Sequence, residues 1–106
     1  MINCTCIVQE GQAPDLRQSG LQELINRFTE AAFGEAAQIT WIPVAPGNGF
    51  TERKPSTSSV VSMRASESLK PDRRESLLRE LVELWTSATG CSVSEVVAVI
   101  SDPEPQ

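Results

Sequence analysis

Histidine and tyrosine are absent from all 106 residues. That excludes Ser–His and Cys–His nucleophile pairs, His-bearing zinc sites and a tyrosine general acid. Chemistry is left to carboxylates, Lys, Arg, Cys or a terminal amine. Basic residues are scarce: 9 Lys and Arg stand against 14 Asp and Glu, a net charge of -5. Phosphate binding needs a basic surface, so no nucleic-acid partner is expected. No apolar run approaches the roughly 20 residues of a membrane span, and no basic-then-apolar leader pattern opens the chain. The expected address is therefore the cytoplasm, with no membrane association. The cysteines number three, an odd count that suits a reducing compartment better than a disulfide framework.

The length suits one compact domain over residues 1–106. The strongest internal signal is self-similarity at a spacing of 57. Pro14, Asp15, Arg17, Ser19, Leu21, Glu23 and Leu24 recur as Pro71, Asp72, Arg74, Ser76, Leu78, Glu80 and Leu81 with no gap. Residues 1–49 and 58–106 thus read as two copies of one unit, joined by the connector 50–57, "FTERKPST". In each unit a short β-prone run (2–8, 59–65) precedes a helical pattern (14–32, 71–89). Each helix has Pro at its first position and Asp beside it, which suits the positive end of the helix dipole. One face carries Leu21, Leu24, Ile25 and Phe28, and the other helix repeats this with Leu78, Leu81, Val82 and Trp85. Gly34 and Gly90 are expected stops. Residues 38–44 and 95–101 are apolar on both faces, as central strands are.

The pattern is an α/β (α+β) fold of two tandem β-α-β units, each pairing its strands in parallel. It predicts a four-stranded mixed sheet with both helices on one face, over Ile2, Cys4, Cys6 and Val8. The other face then needs cover, so self-association is expected. A ferredoxin-like dimer is the alternative fold.

Two β-α-β units, a strand beginning at the first residue, the Glu10–Gly11 turn and the stretch Pro46–Phe50 resemble the tautomerase superfamily. That group includes 4-oxalocrotonate tautomerase (4-OT) and cis-3-chloroacrylic acid dehalogenase. The resemblance covers nearly the whole chain and is closest to the fused, dehalogenase-like branch. It implies a homotrimer, with sites near the start of each first strand, and a reaction on a small 2-oxo or unsaturated carboxylic acid. It further implies catalysis by an N-terminal amine and arginines that hold the substrate carboxylate. This chain departs from the family at several positions. Met1 and Ile2 stand where the family exposes a proline. Gln12 replaces an arginine, Glu67 and Lys70 fall where the dehalogenase branch has two arginines, and Val99 falls on its tyrosine.

Carried over residue by residue, the resemblance makes the Met1 amine the catalytic candidate, with retention of Met1 expected because Ile2 is bulky. Arg64, Lys70 and Arg73 are the candidate carboxylate-binding residues. A guanidinium can grip a carboxylate in bidentate fashion, but Arg64 equally suits an intersubunit ion pair, and Lys70 and Arg73 suit solvated surface charge. Cys4 and Cys6 share one strand face about 7 Å apart and read as packing, and Trp41 and Trp85 as core or interface. No cofactor and no metal are expected. A descendant without catalysis, keeping the trimer as a binding or structural module, is the alternative function.

Overall fold

A computed structural model describes residues 1–10 and 20–103. Along the chain lie β1 (Ile2–Gln9), α1 (Leu21–Phe33), β2 (Ala37–Val44), β3 (Phe50–Thr51), β4 (Lys54–Pro55), β5 (Ser59–Arg64), α2 (Pro71–Thr89), a 3-10 turn (Val93–Glu95) and β6 (Val96–Ser101). The start expected for the first helix at Pro14 lies outside the described residues. The second helix begins at Pro71, where a missing N–H costs no hydrogen bond. Both helices end on a glycine with left-handed backbone, Gly34 at φ 73° and Gly90 at φ 76°. Only a residue without Cβ adopts that conformation freely.

The sheet order is β2-β1-β5-β6. β1 runs parallel to β2 and β5 parallel to β6, while β1 and β5 are antiparallel, with Cys4 opposite Met63 and Cys6 opposite Val61. Both helices cover the same face. Ile2, Cys4, Cys6 and Val8 are buried beneath them, as the alternation predicts, together with Val61, Met63, Val96 and Ile100. Strands 37–44 and 96–101 are the sheet's edges, not its centre. The units join through their opening strands, which pushes the closing strand of each to the outside, and the apolar outer residues Ile42, Val97 and Val99 remain exposed.

The gapless spacing of 57 holds for the opening strands but not beyond them. Leu21, Ile25 and Thr29 are buried in α1, and Leu77, Leu81 and Trp85 in α2, a spacing of 56 that also separates Gly34 from Gly90. Cys4 pairs with Ile39 and Val61 with Ala98, so the closing strands are spaced by 59. One residue of helical shift turns a face by about 100°. The inward stripe of α2 is therefore Leu77, Leu81 and Trp85, while Leu78 and Val82, expected inside, are half-buried on its flank.

The connector holds a β-hairpin not expected from the sequence. Phe50 pairs with Pro55 and Thr51 with Lys54, leaving Glu52 and Arg53 as the two turn residues, at φ 52° and 67°. Both angles positive is the geometry that twists correctly into a two-residue hairpin, but it normally selects Asn-Gly. Glu-Arg hides the signal.

The helix offset is testable. Leu77→Ala is expected to cost about 2–5 kcal/mol, as for a fully buried leucine, read from the urea midpoint. The spacing of 57 places Leu77 opposite Gly20, off the core face, where the change would stay within about 0.5 kcal/mol.

Candidate functional site

The outward residues of three adjacent strands meet at the end of the sheet where β1 begins. Thr5 lies opposite Ser62 across the antiparallel ladder, and Arg64 opposite Ser101 across the parallel one. Asn3, Thr5, Ser62, Met63, Arg64 and Ser101 line a cavity of about 200 Å³, the scale of a small organic acid. Alternation puts the side chains of Asn3, Thr5, Ser62, Arg64 and Ser101 on the face without helices, whereas that of Met63 is buried in the core. Among the described residues the cavity's lining holds one cation, three hydroxyls and one amide, and no carboxylate. That set donates hydrogen bonds and carries positive charge, which suits an oxyanion.

Met1 is two positions from Asn3 along the chain and does not line the cavity. Its backbone is positioned by Ile2 N–H donating to Ala36 O at 2.9 Å. Its amine donates to Glu35 Oε1 at 2.9 Å, an exposed ion pair. Glu35 sits in the turn between α1 and β2, just after Gly34. The next residue but one, Ala37, is pinned by its N–H donating to Asn26 Oδ1 of α1 at 2.9 Å. The hydrogen bond from the terminal amine, its charge and a bond from Ser66 hold the Glu35 carboxyl below the usual carboxylate range. Glu35 was not anticipated, because 34 residues separate it from its partner.

Lys70 and Arg73 do not line the cavity. Lys70 occupies the N-cap position of α2 and Arg73 its first turn, both exposed. Arg74 is the cation engaged there. It donates to Asp102 and, at 3.3 Å, to Leu69 O, while Leu69 N–H donates to Asp102 Oδ1 at 3.2 Å. The clasp fastens the start of α2 to the end of β6. The Leu69 N–H, then Arg74, depress the Asp102 carboxyl.

Cys4 and Cys6 are buried with Sγ atoms 3.8 Å apart. The shared hydrogen bond and burial push the Cys6 thiol up, which keeps that sulfur from acting as a thiolate. Trp85 is buried in the core and Trp41 half-buried. Among the described residues no three His, Cys, Asp or Glu side chains converge as metal ligands, and no helix is long and apolar enough to cross a membrane.

No family model and no curated protein matches this chain. Solved structures do. A fused 4-OT symmetric trimer superposes with a TM-score of 0.81 at 11% identity, covering 95% of this chain and 85% of that one. The structure of N1, a member of the cis-3-chloroacrylic acid dehalogenase family, gives 0.82 at 8% identity, covering 95% and 74%. Pt0534 inactivated by 2-oxo-3-pentynoate gives 0.81 at 18% identity, covering 95% and 85%.

Glu35 and Asp102 are two of three carboxyl groups held below their ordinary values, the third being Glu95, whose carboxyl is lowered first by the Ser92 backbone N–H. A depressed folded-state carboxyl contributes stability that is complete above its unfolded value and disappears as pH falls through its folded one. Urea midpoints are therefore expected to fall on acidification below about pH 4.5. Glu35→Gln and Asp102→Asn should each flatten that decline; a decline untouched by both would show that neither pair is linked to folding. Two β-α-β units joined through their opening strands, with both helices on one face, give this chain the fold of the tautomerase superfamily.

Proposed function

We propose that the protein is a homotrimer that catalyses tautomerisation or isomerisation of a small 2-oxo or unsaturated carboxylic acid. The observation that carries this is the cavity of Asn3, Thr5, Ser62, Arg64 and Ser101 at the start of β1, whose Asn3 is two positions along the chain from Met1. Arg64 holds the substrate carboxylate through charge-assisted hydrogen bonds, and the hydroxyls orient the oxo group. The Met1 amine, once neutral, takes the proton from the carbon beside the oxo group and returns it to the substrate as the double bond moves. Glu35 accepts a hydrogen bond from the ammonium and steadies the protonated half of the cycle. Lys70 and Arg73, named as carboxylate-binding candidates from the sequence, have no part in this arrangement. A neighbour with the same fold is inactivated by a 2-oxo acid, and another is a trimer, which supports both the substrate class and the assembly. Copies packed around a threefold axis would also cover the open sheet face.

A second reading is favoured by the Met1–Glu35 ion pair itself, which occupies the amine. Under it the same fold is a trimeric binding module without catalysis.

Keto–enol conversion of phenylpyruvate, followed by absorbance, separates the two. The enzyme reading expects a rate above buffer that falls at least about tenfold in Arg64→Ala, mainly through KM. A rate equal to buffer with the Met1 amine chemically confirmed as free defeats it. A stoichiometric borohydride-trapped adduct between Met1 and an oxo acid would eliminate the non-catalytic module.

A further inference from the structure

The open face of the sheet is graded in polarity from rung to rung. One rung crosses all four strands as Ile42, Ile7, Val60 and Val97, entirely apolar. The next reads Thr40, Thr5, Ser62 and Val99, three hydroxyls beside a valine. Two residues further along each strand, Gln38 pairs with Asn3 and Arg64 with Ser101, which makes the polar end. The cavity of about 200 Å³ takes its outward lining from these last two rungs. Asn3, Arg64 and Ser101 come from the polar end, and Thr5 and Ser62 from the hydroxyl rung.

Its three hydroxyls are not equivalent. Ser101 Oγ donates to Met63 O at 3.4 Å and stands directly beside Arg64. Thr5 and Ser62 lie opposite one another across the antiparallel ladder, both half-buried. Neither hydroxyl has a partner among the described residues. Side chains so placed have Cβ atoms about 4.5–5.5 Å apart, so both hydroxyls reach a single oxygen set between them. Each can donate and accept, so together they give a ligand hydroxyl one hydrogen bond and take one from it. A carboxylate only accepts, and this pair has no charge to answer it. Arg64, the one cation lining the cavity among the described residues, is a rung away, about 6.7 Å along the strand.

We infer that Thr5 and Ser62 set substrate specificity by binding a neutral hydroxyl at the far end of a short acid whose carboxylate Arg64 holds. This rests on the carboxylate-binding role proposed above for Arg64 and extends it to the other end of the substrate. An oxo group next to the carboxylate stays on the rung of Arg64 and Ser101. The far hydroxyl sits one rung on, a span that an extended acid of about five carbons covers. Beyond it, Ile7 and Val60 offer no side-chain hydrogen bond, so a longer polar chain would end against apolar groups. The substrate class is a terminal hydroxy acid, not a dicarboxylate.

Equilibrium binding to the full chain, by calorimetry, tests this without requiring turnover, with pentanoate, 5-hydroxypentanoate and pentanedioate as probes. Circular dichroism checks each variant for the fold. The hydroxy acid is expected to bind about tenfold tighter than pentanoate, and pentanedioate no tighter than pentanoate. Thr5→Val, which keeps the shape of the side chain, and Ser62→Ala should each remove most of that preference. Both should leave pentanoate binding within about twofold, whereas Arg64→Ala should weaken all three probes. Equal binding of pentanoate and 5-hydroxypentanoate, lost in Arg64→Ala, overturns the hydroxyl pair and leaves the role of Arg64 standing. Tightest binding of pentanedioate overturns the pair as well, and so does a preference for the hydroxy acid that survives both hydroxyl variants. No binding of any probe, or binding indifferent to Arg64→Ala, overturns the pair and the carboxylate site together.

Discussion

The antiparallel ladder between β1 and β5 is the constraint on which the molecule depends. Each β-α-β crossover is parallel within itself and, by chain chirality, right-handed. Joining two such units through their opening strands, Cys4 to Met63 and Cys6 to Val61, brings both helices to one side. That side closes into a core around Ile2, Cys4, Cys6, Val61, Met63 and Trp85. The other side is left as a sheet face with Ile42, Val97 and Val99 exposed. One pairing thus decides where the core lies, where the open face lies, and which alternate residues can reach a ligand.

The polar cavity follows directly. On the open face, alternation selects Asn3 and Thr5 from β1 and Ser62 and Arg64 from β5, and the ladder sets them side by side. Among the described residues the lining sets one guanidinium beside three hydroxyls and an amide, on a chain with net charge -5. Outside the cavity, several cations already answer to acids: Arg27 to Glu23, Arg79 to Glu75, Arg74 to Asp102 and the Met1 amine to Glu35. The acids of these pairs brace helix surfaces and chain ends.

The two units serve different surfaces because they diverge in helix phase. In α1 the apolar residues largely turn inward. In α2 the apolar stripe is wider than the core requires, so Leu77, Leu81 and Trp85 face in while Leu78 and Val82 flank an apolar groove beside β6. The separation between opening strand and helix is one residue greater in the first unit, which sets the phase difference, and the 3-10 turn Val93–Glu95 stands before β6 in the second. Duplicated units need not keep duplicated surfaces, and here the second one carries the apolar groove.

The amino-acid sequence by itself determined the order of the two β-α-β units, the helix stops at Gly34 and Gly90 and the inward face of β1. These are local or periodic properties: glycine at a left-handed cap, proline at a helix start, alternation of period two along a strand. A family resemblance, in turn, singled out Arg64 as a candidate to bind a carboxylate. Tertiary structure decided the rest. The edge position of β2 and β6 depends on which strands pair between units, and both strands look central when read one at a time. The helix offset is invisible to a gapless comparison, since conserved apolar residues occur on both sides of the true phase. The Met1–Glu35 pair joins residues 34 positions apart, and the Glu52–Arg53 turn lacks the residues that usually announce it. Neighbours along a chain can be read from their order, whereas contacts between distant residues exist only once packing has brought them together.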